Sequence, residues 1–128
     1  MRKYIRVIIL IISLLTILSG IVQLVMPAFV LSQVGAAIND TTKQLFATIA
    51  MFMIMFGGLV VHALYDAQSN RAAFLWGAFQ KFGASIAVGI GILHGIFNLT
   101  SGAVASFDFC SGILFLYYYK QIKADETY

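Results

Sequence analysis

Two ionisable residues, Lys81 and Asp108, lie in stretches of the sequence that are otherwise strongly apolar. In a membrane, an unpaired charge of either kind costs about 3 kcal/mol, so we expect the two residues to pair. Such a pair can fix the register of two packed helices. It can also separate and re-form as a proton or an ion passes. The sequence leaves both roles open.

Polar side chains near the two charges support this interpretation. Gln80 adjoins the lysine, Ser85 follows it by one helical turn, and Ser111 follows the aspartate at helical spacing. Their amide and hydroxyl groups predict a small hydrogen-bonded network around the ion pair. The alternative is that each charge extends toward the nearer headgroups, which a long lysine can do and a short aspartate cannot.

The composition predicts that a lipid bilayer surrounds these charges. Of the 128 residues, 61% are hydrophobic and only 10% are charged, whereas soluble proteins have about 25% charged residues. A soluble chain of this size needs more polar residues to cover its surface. The net charge of +3 is not arranged in a basic stripe, so no nucleic-acid partner is expected. We predict one integral membrane domain, residues 1–128.

Charged positions divide this domain into four predicted membrane helices. A helix needs about twenty apolar residues to cross the hydrocarbon core. The last helix must include Asp108, because the uncharged residues 109–119 alone rise only about 16 Å. The segment after Pro27 predicts a short helix at the membrane interface. The predicted fold is all-α, an antiparallel four-helix bundle. The predicted spans are residues 5–26, 44–65, 72–97 and 101–119.

The distribution of positive charge predicts the orientation of these helices. Lysine and arginine are enriched in the cytoplasmic segments of membrane proteins. Only Lys43 falls on the side opposite the termini. Both termini are therefore expected in the cytoplasm. The cations on the side of the termini are Arg2, Lys3, Arg6, Arg71, Lys120 and Lys123.

The same positions place the two buried charges at similar depths. Lys81 lies ten residues after Arg71, and Asp108 lies twelve residues before Lys120. At the rise of an α-helix these separations correspond to depths of about 15 and 18 Å. Because the third and fourth spans are antiparallel neighbours, the lysine and the aspartate are predicted to meet near the middle of the bilayer.

Small residues in the third span predict close helix packing. Gly89, Gly91 and Gly95 lie near its end, and the last two form a G-x-x-x-G pattern. The packed partner is either another helix of this chain or a second subunit. A homo-oligomer or a larger membrane complex is the expected assembly.

Catalytic and metal-binding patterns are not found in the sequence. At the rise of an α-helix, His62 and His94 are expected to differ in membrane depth by about 27 Å. This distance is too large for the two side chains to share one metal ion. The chain lacks the residue sets of hydrolases and the glycine-rich phosphate loop. We therefore expect neither an enzyme nor a cofactor.

Four short patterns resemble the small four-helix bacterial membrane proteins of the DoxX-like type. Pro27 is followed four residues later by a leucine, and the second span ends in Ala-Leu-Tyr-Asp66. The third span contains Gly77-x-x-x-Lys81, and Asp108 precedes Ile-Leu-Phe-Leu-Tyr-Tyr-Tyr-Lys. The resemblance implies a fold and a bacterial inner membrane, and it implies no reaction. Such proteins often carry an arginine early in the second span, where this chain has Ala47-Thr48.

Two functions are consistent with these residues. The first is a non-enzymatic membrane protein, either an accessory subunit or a protein that binds a small molecule or a lipid. The second is a small proton- or ion-coupled transporter or channel that acts as an oligomer and uses Lys81 and Asp108.

Overall fold

The computed structural model describes residues 2–66 and 70–127, and every element of regular secondary structure in these ranges is a helix. The prediction of an all-α fold is confirmed, and so is the short helix after Pro27. Three of the helices, α1, α3 and α4, are long and apolar enough to cross a membrane. The helices are α1 Arg2–Val25, α2 Pro27–Val34, α3 Asp40–Tyr65, α4 Arg71–Leu93 and α5 Ser101–Thr127.

Helix α4 ends earlier than the predicted third span, which extended to residue 97. Gly95 has a φ of 73°, a left-handed conformation that ends a helix. Its N–H group bonds the carbonyl of Ile92, and the next N–H group bonds the carbonyl of Gly91. This is the Schellman pattern of a helix C-terminus. Gly95 therefore lies outside the helix that the predicted G-x-x-x-G pattern requires.

The helices associate mainly as two pairs. Helix α1 packs along α3, and α4 packs along α5. Smaller contacts join α3 to α4 and α1 to α5, while α2 lies against α1 and α3. The guanidinium group of Arg6 donates a hydrogen bond to the carbonyl of Leu64, so the start of α1 meets the end of α3. The helices α1 and α3 are therefore antiparallel.

The opposite end of the molecule is held together by Asn98. Its amide Nδ2 donates to the carbonyl of Gln33 over 3.1 Å, and its own N–H group bonds the carbonyl of Val34 over 2.8 Å. Its Oδ1 accepts a hydrogen bond from the N–H group of Ser101, the first residue of α5. One side chain thus joins the end of α2 to the start of α5.

The apolar core lies toward the end of the molecule that contains Arg6. Phe74 and Tyr118 pack edge to face there, with ring centroids 4.8 Å apart. Above this core the buried side chains become polar, beginning with Ser13 and Thr16 in α1. The core residues are Ile5, Ile9, Ile12, Val60, Leu64, Phe74, Ala78, Phe115 and Tyr118.

The outer faces of the four long helices carry exposed apolar side chains. A water-soluble protein shows the reverse arrangement, with polar residues outside. The exposed apolar residues include Leu14 and Leu18 on α1, Phe52 and Met55 on α3, Ile86 and Ile90 on α4, and Phe109 and Ile113 on α5.

Close contact between α1 and α3 requires a glycine at position 57. A Cβ atom there would lie 3.0 Å from the backbone oxygen of Ser13 and 2.5 Å from Cγ1 of Ile17. The neighbouring Gly58 has no atom within 4 Å of such a Cβ. We expect Gly57→Ala to lower the free energy of unfolding by about 1–3 kcal/mol, because the two helices must move apart. Denaturant titration of the purified protein in detergent measures this change.

Gly58→Ala is the matched control for this prediction. It has free space, and alanine favours a helix over glycine by up to about 1 kcal/mol. Equal losses in the two variants would show that the contact at residue 57 does not hold α1 against α3.

Candidate functional site

Lys81 and Asp108 contact each other in the interior of the protein. The Nζ atom of the lysine lies 3.3 Å from Oδ1 of the aspartate. The two residues are only 4% and 9% exposed. The contact that the sequence predicts is therefore present. Because a buried charge is unstable unless it is paired and hydrogen-bonded, the remaining contacts of both groups matter.

The shortest hydrogen bond of Lys81 is with a residue that the sequence analysis does not identify. Its Nζ atom donates to the hydroxyl oxygen of Thr16 in α1 over 2.7 Å, a shorter distance than that to Asp108. The hydroxyl group of Thr16 in turn donates to the carbonyl of Ile12 over 2.9 Å. The threonine oxygen is thereby oriented to accept from the cation. Hydrogen bonds to a charged group are stronger than neutral ones.

This arrangement joins three helices at one point. Thr16 lies in α1, Lys81 in α4 and Asp108 in α5. The ring of Phe107 adds a cation–π contact, with its centroid 5.5 Å from Nζ of the lysine. We call Thr16, Lys81 and Asp108 the polar triad. Since α1 and α4 are not a closely packed pair, the triad is a direct link between the two helix pairs.

A pattern in α1 could have identified Thr16 from the sequence. Ser13, Thr16, Gly20 and Gln23 are separated by three or four residues and lie on one face of a helix rich in isoleucine and leucine. All four are buried. Gln23 donates to the carbonyl of Phe46 in α3 over 2.8 Å. The polar face of α1 is thus its interior face.

The predicted supporting residues take three different positions. Ser111 is buried, but its hydroxyl donates to the carbonyl of Phe107 in its own helix over 2.7 Å. It makes no hydrogen bond to Lys81 or Asp108, because a helical serine readily bonds the carbonyl four residues earlier. Ser85 is partly buried and has no hydrogen bond to either charge in the described ranges. Gln80 lines a small cavity beside Lys81.

The cavity beside Lys81 has a volume of about 10 Å³, which is close to the space that one water molecule needs. Its polar walls come from Ser13, Thr16, Gln80 and Lys81. The hydroxyl of Ser13 is buried and has no hydrogen-bond partner among the residues that the structure describes. The cavity is too small for an organic substrate.

A larger groove of about 580 Å³ lies between α3 and α4. Phe56, Leu59 and Trp76 form part of its apolar walls. His62 and Asp66 lie near the α3–α4 connection and are both exposed. Phe56 also lines the small cavity, so the two spaces share this residue.

The three glycines that are predicted to pack against another helix differ in their surroundings. Gly91 is buried against the ring of Phe97, in the turn that follows α4. Gly89 and Gly95 have no atom within 4 Å of an added Cβ. None of the three glycines brings α4 close to another long helix. Packing of Gly89 against a second subunit stays a prediction.

Metal coordination has no candidate among the side chains that the structure describes, those of residues 3–66 and 70–124. No three His, Cys, Asp or Glu side chains lie close enough there to hold one metal ion. Searches of protein-family models, of curated proteins and of solved structures find no match to this chain. The functional argument therefore depends on the residues themselves.

The polar triad predicts strong coupling between the two charges. We expect Lys81→Met and Asp108→Leu each to lower the free energy of unfolding by about 3–5 kcal/mol, because each leaves one buried charge without its partner. The double variant should lose much less than the sum of the single losses. Denaturant titration of the four proteins in detergent measures the coupling.

Ser111→Ala provides the control for this prediction. Ser111 is as buried as the charges but bonds only its own helix, so its loss should cost about 1 kcal/mol or less. Additive losses in Lys81→Met and Asp108→Leu would show that the ion pair does not couple α4 to α5.

Proposed function

We propose that this protein is an integral membrane protein with four membrane-spanning helices, α1, α3, α4 and α5. The apolar outer faces of these helices and the buried polar triad support this arrangement. Helix α5 has 27 residues, a length of about 40 Å, which is enough to cross the hydrocarbon core. Its mean hydropathy is lowered by Asp108 and by the polar residues near its end. The four helices then form an antiparallel bundle.

The proposed location is a bacterial inner membrane, with both termini in the cytoplasm. The excess of lysine and arginine on the side of the termini supports this orientation. The resemblance to the DoxX-like proteins supports the location. Two of the residues that carry the resemblance, Lys81 and Asp108, belong to the polar triad.

Cysteine labelling in intact cells tests this topology. In a Cys110→Ala background, a cysteine at Asn39 should react with a membrane-impermeant reagent from outside. A cysteine at Ser69, which lies outside the described residues, should react only after the cells are opened, because four spans place the two positions on opposite sides. Labelling of both cysteines from the same side would contradict the topology.

The proposed function is that of a non-enzymatic subunit in a membrane assembly. The single observation that carries it is the polar triad itself. Lys81 already has Thr16 and Asp108 as partners, and the adjoining space fits about one water molecule. Such a site fixes the register of three helices and leaves no room for an organic substrate. Contacts with other molecules are therefore expected on the outer faces of the helices.

The outer face of α4 is the best candidate for contact with a partner helix. Gly83 and Ala87 are four residues apart and both exposed. An added Cβ at Gly83 meets no atom within 4 Å. Small residues at this spacing allow two membrane helices to approach closely, so this pair replaces the predicted Gly91–Gly95 pattern. The partner is a helix of a second copy of this chain or of another membrane protein, and a bound lipid is the remaining alternative.

Purification from native membranes in a mild detergent tests the subunit function. We expect the chain to elute as an oligomer or with a partner protein or lipid. Gly83→Leu should weaken that association at least about tenfold, because the leucine prevents close helix approach. Gly58→Leu is the control, since Gly58 is an exposed glycine on α3. A monomer with no partner or bound lipid would contradict the proposal.

Transport is the alternative function, and the buried ionisable pair favours it. In a transporter the passage of a proton or ion would separate Lys81 from Asp108. Measurement of proton or ion flux across vesicles that contain the purified protein distinguishes the two functions. Flux that is lost in a folded Lys81→Met, Asp108→Leu double variant would assign the pair to transport. Flux that persists unchanged in that variant would assign the pair to structure.

A further inference from the structure

The cavity beside the polar triad contains an unsatisfied hydrogen-bonding group. The side-chain oxygen of Ser13 is buried and has no partner in the part of the chain that the structure describes. The residue is 2% exposed. Buried hydroxyl groups are almost always hydrogen-bonded, because an unpartnered one costs about 1–3 kcal/mol. A molecule in the cavity would supply the partner that Ser13 lacks.

The remaining walls of the cavity supply further polar groups. A lysine ammonium has three donors, and two of them are used by Thr16 and Asp108. The third is available to the cavity, which Lys81 lines. The amide of Gln80 also lines it and offers both a donor and an acceptor. A small molecule here has about three polar partners, the usual number for a buried water.

The charge of the surroundings selects a neutral molecule. Lys81 repels a cation, and the nearby carboxylate of Asp108 already balances the charge of the lysine. A cavity of about 10 Å³ has room for about one water molecule and nothing larger. We propose that one water molecule binds between Ser13, Gln80 and Lys81, and that it enters from the α3–α4 groove past Phe56.

The route follows from the position of Phe56. This residue lines both the cavity and the groove, and its side chain is partly exposed. The groove extends to the α3–α4 connection, where His62 and Asp66 are exposed. Rotation of the Phe56 ring is the step that this proposal requires to connect the polar triad to the polar end of the groove. On the proposed topology this end faces the cytoplasm.

Thiol labelling at the cavity tests both parts of the proposal. In a Cys110→Ala background, Ser13→Cys places a thiol in the cavity. Sulfonatoethyl methanethiosulfonate, an anionic reagent that does not cross the bilayer, is added to vesicles from the cytoplasmic side. It reacts with the thiolate, which forms only where water is present. We expect Phe56→Ala to accelerate the reaction of the cysteine at position 13 about tenfold or more, because loss of the phenyl ring joins the cavity to the larger groove and makes room for the reagent.

Ser111→Cys is the matched control for this experiment. Ser111 is 1% exposed but lines neither the cavity nor the groove. Its cysteine should react at the same slow rate with or without Phe56→Ala. Equal acceleration at both cysteines would mean that Phe56→Ala loosens the whole fold, and no acceleration at position 13 would mean that lipid or protein blocks the route. Either result overturns the proposal.

The bound water itself is observed by infrared difference spectroscopy. Exchange of H₂¹⁶O for H₂¹⁸O should shift an O–H band of the native protein. That band should be lost in Ser13→Val, whose additional methyl group fills the cavity and removes the hydroxyl. A band that is unchanged in this variant, or absent from the native protein, would contradict a water at Ser13. The route rests on the membrane topology proposed above, and the Asn39 and Ser69 labelling tests that topology separately.

Discussion

The ammonium group of Lys81 is the constraint on which the rest of the structure depends. A buried cation is stable only when its donors are used, and the partners of Lys81 come from two other helices. Asp108 supplies the countercharge from α5, and Thr16 supplies the shortest hydrogen bond from α1. The α1–α3 and α4–α5 pairs therefore cannot slide past each other without separating the ammonium group of Lys81 from Thr16. Apolar contacts alone would tolerate such a shift, because one leucine or isoleucine can replace another.

The sequence predicts the pairing of Lys81 with Asp108, but not the contact with Thr16, for a simple geometric reason. Lys81 and Asp108 lie on consecutive antiparallel helices with a short connection, so counting residues from Arg71 and Lys120 gives their relative heights. No short connection relates α1 to α4, and counting does not place Thr16. Its role is seen only when the helices are packed. The spacing of Ser13, Thr16, Gly20 and Gln23 nevertheless distinguishes the interior face of α1.

Local backbone chemistry explains the other differences between sequence and structure. Gly91 and Gly95 match a packing pattern, but the left-handed conformation of Gly95 ends the helix between them. Ser111 has the spacing for a site residue, yet its hydroxyl bonds its own helix. In both cases a glycine or a serine has a local alternative to the long-range contact. Hydropathy and residue spacing contain no information about which alternative is used.

The positions of the triad along the chain also relate to the order of synthesis. A ribosome completes Thr16 long before Lys81, and it completes Asp108 only 27 residues after the lysine. When α4 first emerges, its cation has a hydroxyl partner and no countercharge. The full set of partners exists only once α5 has followed. On the proposed topology, the last two helices therefore enter the membrane as a single unit, a hairpin whose charges leave water together.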